Sequence, residues 1–513
     1  MPSRVASPAI SPVVSRAIAT VSFANHKPMQ QNLTIGLLSS DPGWEILLEQ
    51  IGAIWEIIPP DADRSPARYS AIVANGKLSA AAANRLMEYL NHGGAVLAEG
   101  MELRNLAAAA LRQRGALIEE PATQFQRVGE GYLTACGAAI GRLITSTHAR
   151  RQLLPAPVVR VLPSEILAST NKGFHRRGIH RQLALLHALR SLPFPTRWRF
   201  PGNAPTIFCY RIDSDHGTRQ QIEQLHHRSQ RYHVPITWFL HTEAHEGWIE
   251  RFAEFEGDEI GVHCHRHRTF RGYRKNVENI RRAIALLGQQ GISPRGFAAP
   301  NGFWNPGLAD AVADCGFLYS SEFSLAYDDL PFHPWHDWRK EFGGVLQVPI
   351  HPVSPGNFRR VGATPGQMIQ HYQQALASKV DSGEPIIFYD HPTHQQWGVT
   401  EAVFTEVCQR KIPVITMGSY AEWWIQRSKA RVEASIENGV LSVQTHNGPK
   451  DLMLNLEHNL ENRTLVAATA TLPLDEIAWD RANHLPDKPP PTRGYNFKML
   501  FHSVEDALTR LRQ

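Results

Sequence analysis

A chain of 513 residues, 42% hydrophobic and 20% charged, is too long for one core and predicts about two to four globular domains. Its net charge of +5 comes without a concentrated basic stripe, which argues against a nucleic-acid partner. No apolar run approaches the roughly eighteen residues of a membrane span, and five scattered cysteines without C-x-x-C spacing argue against a disulfide framework and favour the cytoplasm.

Residues 1–31 read as a disordered leader: the first forty residues hold no Asp or Glu, and Pro8, Pro12 and Arg16 interrupt any secretory core. Ordered sequence is predicted from Asn32. Strands at Leu33–Leu38, Ile54–Ile58, Ala71–Ala74 and Ala95–Ala98 alternate with helices at Trp44–Gly52 and Ser79–Asn91, which predicts a flavodoxin-like α/β domain over 32–165. By pattern alone this region resembles a glutamine-amidotransferase-like domain. The turn Leu97-Ala98-Glu99-Gly100 has no cysteine, so a scaffolding or binding role is expected there. Residues 166–204 form a connector around a helix at His180–Leu192.

From 205 to 428 the pattern becomes regular. Short apolar strands are predicted at Thr206–Ile212, Ile236–Leu240, Glu259–Val262, Gly296–Ala299, Phe317–Ser320, Leu346–Ile350, Ile386–Tyr389 and Pro413–Thr416. Helices separate most of them, which predicts a distorted (β/α) barrel of about seven units. Polar residues sit just past the strand ends, where parallel barrels build active sites: Asp213 and Asp215, His263, Asn301, His351, and Asp390-His391. A small β domain is expected over 429–480. A proline-rich linker and terminal helix complete the chain over 481–513.

Two segments carry the chemistry. Ile260-Gly261-Val262-His263-Cys264-His265-Arg266-His267 offers imidazoles, the commonest ligands of zinc. A helical turn would put His263 and His267 on one face; an extended chain would align His263, His265 and His267. Tyr210-Arg211-Ile212-Asp213-Ser214-Asp215 offers two close carboxylates. One can hold a cation while the other accepts a proton, or the pair can merely cap the following helix. On an extended strand Arg211, Asp213 and Asp215 share a side.

Together these segments resemble the first two signatures of the polysaccharide deacetylase family (NodB-homology domain, carbohydrate esterase family 4). Phe297-Ala298-Ala299-Pro300-Asn301-Gly302 resembles the third, and Tyr389-Asp390-His391-Pro392 the last. The resemblance spans roughly 205–425. It implies a divalent ion, with zinc expected, on Asp215, His263 and His267. It further implies Asp213 as general base, His391 as general acid, and an N-acylated sugar or sugar-containing precursor as substrate. Asn301, Trp304 and Tyr389 are the expected substrate contacts.

Two residues depart from the family pattern. Ala298 stands where an arginine usually orients the base, and Cys264 where Ser or Thr is usual. Arg211 is the expected replacement for that arginine, because a guanidinium fork holds a carboxylate in one rotamer and keeps it ionised; the alternative is that it pairs with a helix carboxylate outside the barrel. The alternatives are a hydrolase of a non-sugar amide or cyclic ureide, a non-haem iron site built on two His and a carboxylate, and a carbohydrate-binding protein without turnover.

Overall fold

A computed structural model describes residues 30–59, 62–100, 118–119, 125–137, 139–459 and 462–481. They divide into two compact units. One comprises Thr145–Phe174 and Ala204–Ile425; the other takes the described residues up to Ile144, His175–Asn203, and those from Gln426 onward. No helix among the described residues is long and apolar enough to cross a membrane.

The first unit is built on a seven-stranded parallel sheet. Its strands, labelled in chain order within the sheet, are β1 (Phe208–Asp213), β2 (Ile236–Leu240), β3 (Glu259–Val262), β4 (Gly296–Phe297), β5 (Tyr319–Ser320), β6 (Leu346–Gln347) and β7 (Ile386–Asp390). Spatial order is β6-β5-β4-β3-β2-β1-β7. All residues of β1, β2 and β7 are buried, as expected when both faces of a parallel sheet are covered. The sheet curls toward closure: past β6, the His351 N–H donates to the Ile387 carbonyl of β7 at 2.9 Å.

Proline shortens the expected strands. Pro300 follows β4 and Pro349 follows β6, and neither has an N–H for a ladder. The eighth strand expected at Pro413–Thr416 is reduced to a bridge between Val414 and Phe208. Helices return the chain between strands: α1 (Arg219–Arg231), α2 (Tyr273–Gln289), α3 (Pro306–Asp314), α4 (Pro365–Ser382) and α5 (Trp397–Gln409). Their starts are chemically marked. Thr218 with Gln221, and Thr364 with Gln367, form capping boxes.

The second unit holds another seven-stranded sheet, ordered Trp55–Ile57, Thr34–Leu37, Tyr69–Ala74, Ala95–Glu99, Gly131–Cys136, Phe125–Val128, Ile118–Glu119. The first five strands are parallel and the last two add an antiparallel edge. The segment expected as a separate small β domain is not separate. Arg431–Glu437 pairs with Gln31–Asn32, and Met453–Asn459 pairs with Phe194–Arg197. Backbone partners for these strands therefore come from distant parts of the chain. The connector helix runs over Lys172–Leu189, earlier than expected, and begins just after Ser164–Ala168, which pairs with Ala149–Leu153. Apart from Gln30 and Gln31, the expected leader lies outside the described residues, as do the linker and terminal helix beyond Arg481.

Candidate metal centre

The candidate site forms past the carboxyl ends of β1, β3 and β7. Along β1 the two-residue period places Arg211 and Asp213 on one side. Arg211 donates from Nε to Asp213 Oδ1 and from Nη2 to Oδ2, both at 2.7 Å. Its Nη1 donates to the Ser321 carbonyl and hydroxyl. The guanidinium is fully buried and lies 5.1 Å from the Phe239 ring centroid and 5.8 Å from that of Tyr389. Burial alone would raise the Asp213 pKa, but Arg211, aided by His263 and His391, holds it below the ordinary value. Asp213 is thus an ionised carboxylate fixed in one orientation.

Asp215 follows β1 with φ +40°, and Cys264 follows β3 with φ +67°. Such left-handed backbone is costly for residues with a Cβ and clusters at functional sites. The turn at Cys264 is neither of the two expected geometries. It breaks the strand after Val262 and folds His267 back beside His263, their ring centroids 5.0 Å apart. Asp215, His263 and His267 each offer one donor atom, all within 4.8 Å of one another. His263 Nε2 is 3.3 Å and His267 Nε2 3.1 Å from Asp215 Oδ1, but Asp215 Oδ1 and His267 Nε2 are buried without a hydrogen-bond partner of acceptable geometry. Buried polar atoms left in that state are rare and ask for an ion or water.

The orientation of His263 follows from its other nitrogen. Nδ1 lies 2.7 Å from the Ala298 carbonyl, which can only accept, so Nδ1 donates to it and Nε2 is the nitrogen turned toward Asp215. A backbone carbonyl holding one ring nitrogen is a common way to aim the other at a metal. Ala298 has no side chain to orient a base, yet its carbonyl orients a ligand. The donor set fits a divalent ion on two imidazoles and one carboxylate, with open positions remaining.

His391 stands on the opposite side, Nε2 3.6 Å from Asp215 Oδ2, with Nδ1 unpartnered. Burial lowers its pKa, against the raising influence of Asp215. A second trio of donors, Asp390, His391 and His394, is engaged internally. Asp390 Oδ1 accepts from the His391 N–H at 2.8 Å and meets His394 Nδ1 at 2.6 Å.

Other expected residues fall elsewhere. His265 meets the Thr242 hydroxyl at 3.2 Å and is outside the trio. The Cys264 thiol is buried, burial pushes its pKa up, and it contributes no donor to the trio. His351 turns into a buried cluster with Asp328 and His371. Tyr389 is buried and in register with Arg211 across the β1–β7 pair, so its ring supports the guanidinium and is not an open substrate face. Asn301 is exposed with φ +56°. Trp304 stacks obliquely with Trp338, ring centroids 5.7 Å apart. Among the described residues, neither Asn301 nor Trp304 bonds to the trio.

Two groups were not anticipated. His241, just past β2, sets Nδ1 2.9 Å from the Asp215 carbonyl. Its backbone N–H donates to the Ser214 hydroxyl, which His245 Nε2 also meets at 2.8 Å. Burial, with the neighbouring imidazoles, pushes His241 down to about 3, so it is neutral and donates to that carbonyl. Glu322, just past β5, is buried behind Arg211, and burial pushes its carboxyl up to about 7. The rule that located His263 and His391, polar residues beyond strand ends, also reaches both.

No protein-family model matches the chain, and no curated protein sequence matches it. Solved structures do. A Mycobacterium smegmatis protein assigned to the polysaccharide deacetylases is 19% identical, with TM-score 0.38, over 44% of this chain and 91% of that one. An allantoinase is 14% identical, with TM-score 0.38, over 44% and 92%. A CE4 family pseudoenzyme from Bacillus anthracis is 12% identical, with TM-score 0.32, over 44% and 68%.

Proposed function

We propose that this chain is a metal-dependent hydrolase of an N-acyl amide on a carbohydrate or carbohydrate precursor. The observation that carries the reading is the convergence of Asp215, His263 and His267 on one point, beside a second carboxylate, Asp213, forked by Arg211. A structural ion pair needs no third donor and no buried atoms left unpartnered, as Asp215 Oδ1 and His267 Nε2 are, and a metal centre without turnover needs no oriented, ionised base.

Asp215, His263 and His267 would hold the ion, with zinc suited to the donor set. When bound, it supplies carbonyl polarisation and a water of lowered pKa. Asp213 takes the proton of the attacking water, Arg211 keeping its carboxylate ionised and its rotamer fixed. His391 delivers a proton to the nitrogen of the departing amine. The fork at Asp213 also answers the loss of arginine at Ala298, which favours turnover over mere binding.

The experiment is to load the protein with zinc and incubate it with a panel of N-acetylated and N-formylated sugars, following acid release. Zinc should bind at about one ion per chain and be lost in His263→Ala and Asp215→Ala, because a three-ligand site rarely survives losing a ligand. His265→Ala should keep it. Full retention in the first two variants removes the site assignment. His241→Phe, which deletes the donor to the Asp215 carbonyl, should weaken zinc by about 10–100-fold; competition against a chromogenic chelator measures it, and unchanged affinity removes His241 from the site.

A further inference from the structure

The loop that leaves the candidate metal centre carries a run of cations, of which one meets a carboxylate. Between Glu259 and Glu278 the sequence has no acidic residue and five cations: Arg266, Arg268, Arg271, Arg274 and Lys275. All five are exposed. Arg266 approaches Glu243 at 3.8 Å; the other four have no carboxylate within ion-pair distance among the described residues. The loop joins β3 to α2, so it lies at the carboxyl end of the sheet, the end where the candidate ligands emerge. Arg266 and Arg268 flank the ligand His267 directly.

This is not an ordinary solvated face. Its backbone is pinned by contacts from two helices, α2 and α3. Asn279 of α2 accepts from the Arg266 N–H and donates to the Arg266 and Arg268 carbonyls. Asn276 accepts from the Phe270 N–H and donates to the Phe270 and Gly272 carbonyls. Asn305, which caps α3, donates to the Phe270 carbonyl. Gly307 of α3 lies so close that a Cβ there would clash with the Arg271 carbonyl oxygen. The Phe270 ring supports two of the cations, Arg268 at 4.9 Å and Lys275 at 5.8 Å from its centroid. Arg274 and Lys275 also occupy the first turn of α2, which has no acidic residue, although the helix dipole disfavours cations there. Solvent-facing cations gathered against local preference, on a loop whose backbone is fixed by hydrogen bonds, suit an anionic ligand.

We infer that the substrate is anionic: an N-acylated sugar bearing closely spaced phosphate or carboxylate groups, which this loop engages while the amide lies at the metal centre. The inference rests on the proposed site but is read by binding, without turnover. Arg268, Arg271, Arg274 and Lys275 supply the attraction.

Fluorescence anisotropy with labelled inorganic triphosphate, a galacturonate hexasaccharide and neutral chitohexaose, at several salt concentrations, tests it. The parent should prefer at least one anionic probe over the neutral one by about tenfold or more at low salt, a preference that shrinks as salt screens it. Preference for triphosphate assigns a phosphate-bearing substrate, and preference for the galacturonate a carboxylate-bearing glycan. The variant R268Q/R271Q/R274Q/K275Q should lose that preference and keep the parental melting temperature and neutral-probe affinity. R268K/R271K/R274K should retain most of it, separating charge from packing. Equal binding of all three probes by the parent, or an unchanged preference in the glutamine variant, overturns the inference. Inactivity on every amide tried would instead count against the hydrolase reading and leave the binding result standing.

Discussion

Asp213→Asn is expected to keep zinc at the parental level and to lower amide hydrolysis by about 10²–10⁴-fold, the usual contribution of a positioned proton acceptor. The carboxylate belongs to neither the ligand trio nor the protein surface. Its two oxygens are the ends of a fork, each 2.7 Å from Arg211. An amide of the same shape keeps one acceptor for the fork but has no basic site, and its NH₂ faces a guanidinium donor. Zinc stoichiometry and turnover measured on one preparation check this. A variant that loses zinc but recovers activity when zinc is resupplied would exchange the roles of Asp213 and Asp215.

Arg211→Ala should do more, because it removes a buried partner. Breaking a buried ion pair from one side costs about 3–5 kcal/mol, since the remaining charge is left without compensation. Here that charge is Asp213, and the Ser321 hydroxyl and carbonyl also lose a donor. Chemical denaturation should show the loss at neutral pH and a smaller difference in acid. The sign follows from the depressed Asp213 pKa. Stability from a carboxylate held below its ordinary value is present above that value and fades as pH falls through the folded-state pKa. In the variant the carboxyl can take a proton at higher pH, which relieves the unpaired charge. Arg211→Lys should recover part of the stability and little of the turnover, because an ammonium supplies charge without the planar fork. A parental rate in Arg211→Ala would show that the base needs no orienting cation.

Much of this centre was legible in the chain. Alternation along β1 places Arg211 beside Asp213 whatever the rest of the fold does, and strand ends in a parallel sheet gather their polar neighbours at one end. What escaped depends on contacts between segments. The turn that brings His267 to His263 is made by a left-handed cysteine, and no glycine marks it. Tyr389 reads as a groove residue until the register of β7 against β1 sets it opposite Arg211. His241 and Glu322 are single polar residues after apolar strands, with no motif around them. The strands after 429 alternate cleanly, but their partners at Gln31 and Phe194 lie hundreds of residues upstream, where no local pattern points.

The open curl of the parallel sheet has a further consequence, for solubility. A sheet that does not close leaves two margins, and an unpaired row of N–H and C=O groups can recruit another chain. Here β6 holds only Leu346 and Gln347, Gln347 already exchanges both of its backbone hydrogen bonds with Phe332, and Pro349 soon removes a donor. The chain then crosses to the opposite margin, where the His351 N–H occupies the Ile387 carbonyl. A template this short, interrupted and partly self-paired gives an incoming strand little to copy, so the sheet can remain open without inviting self-association along its margins.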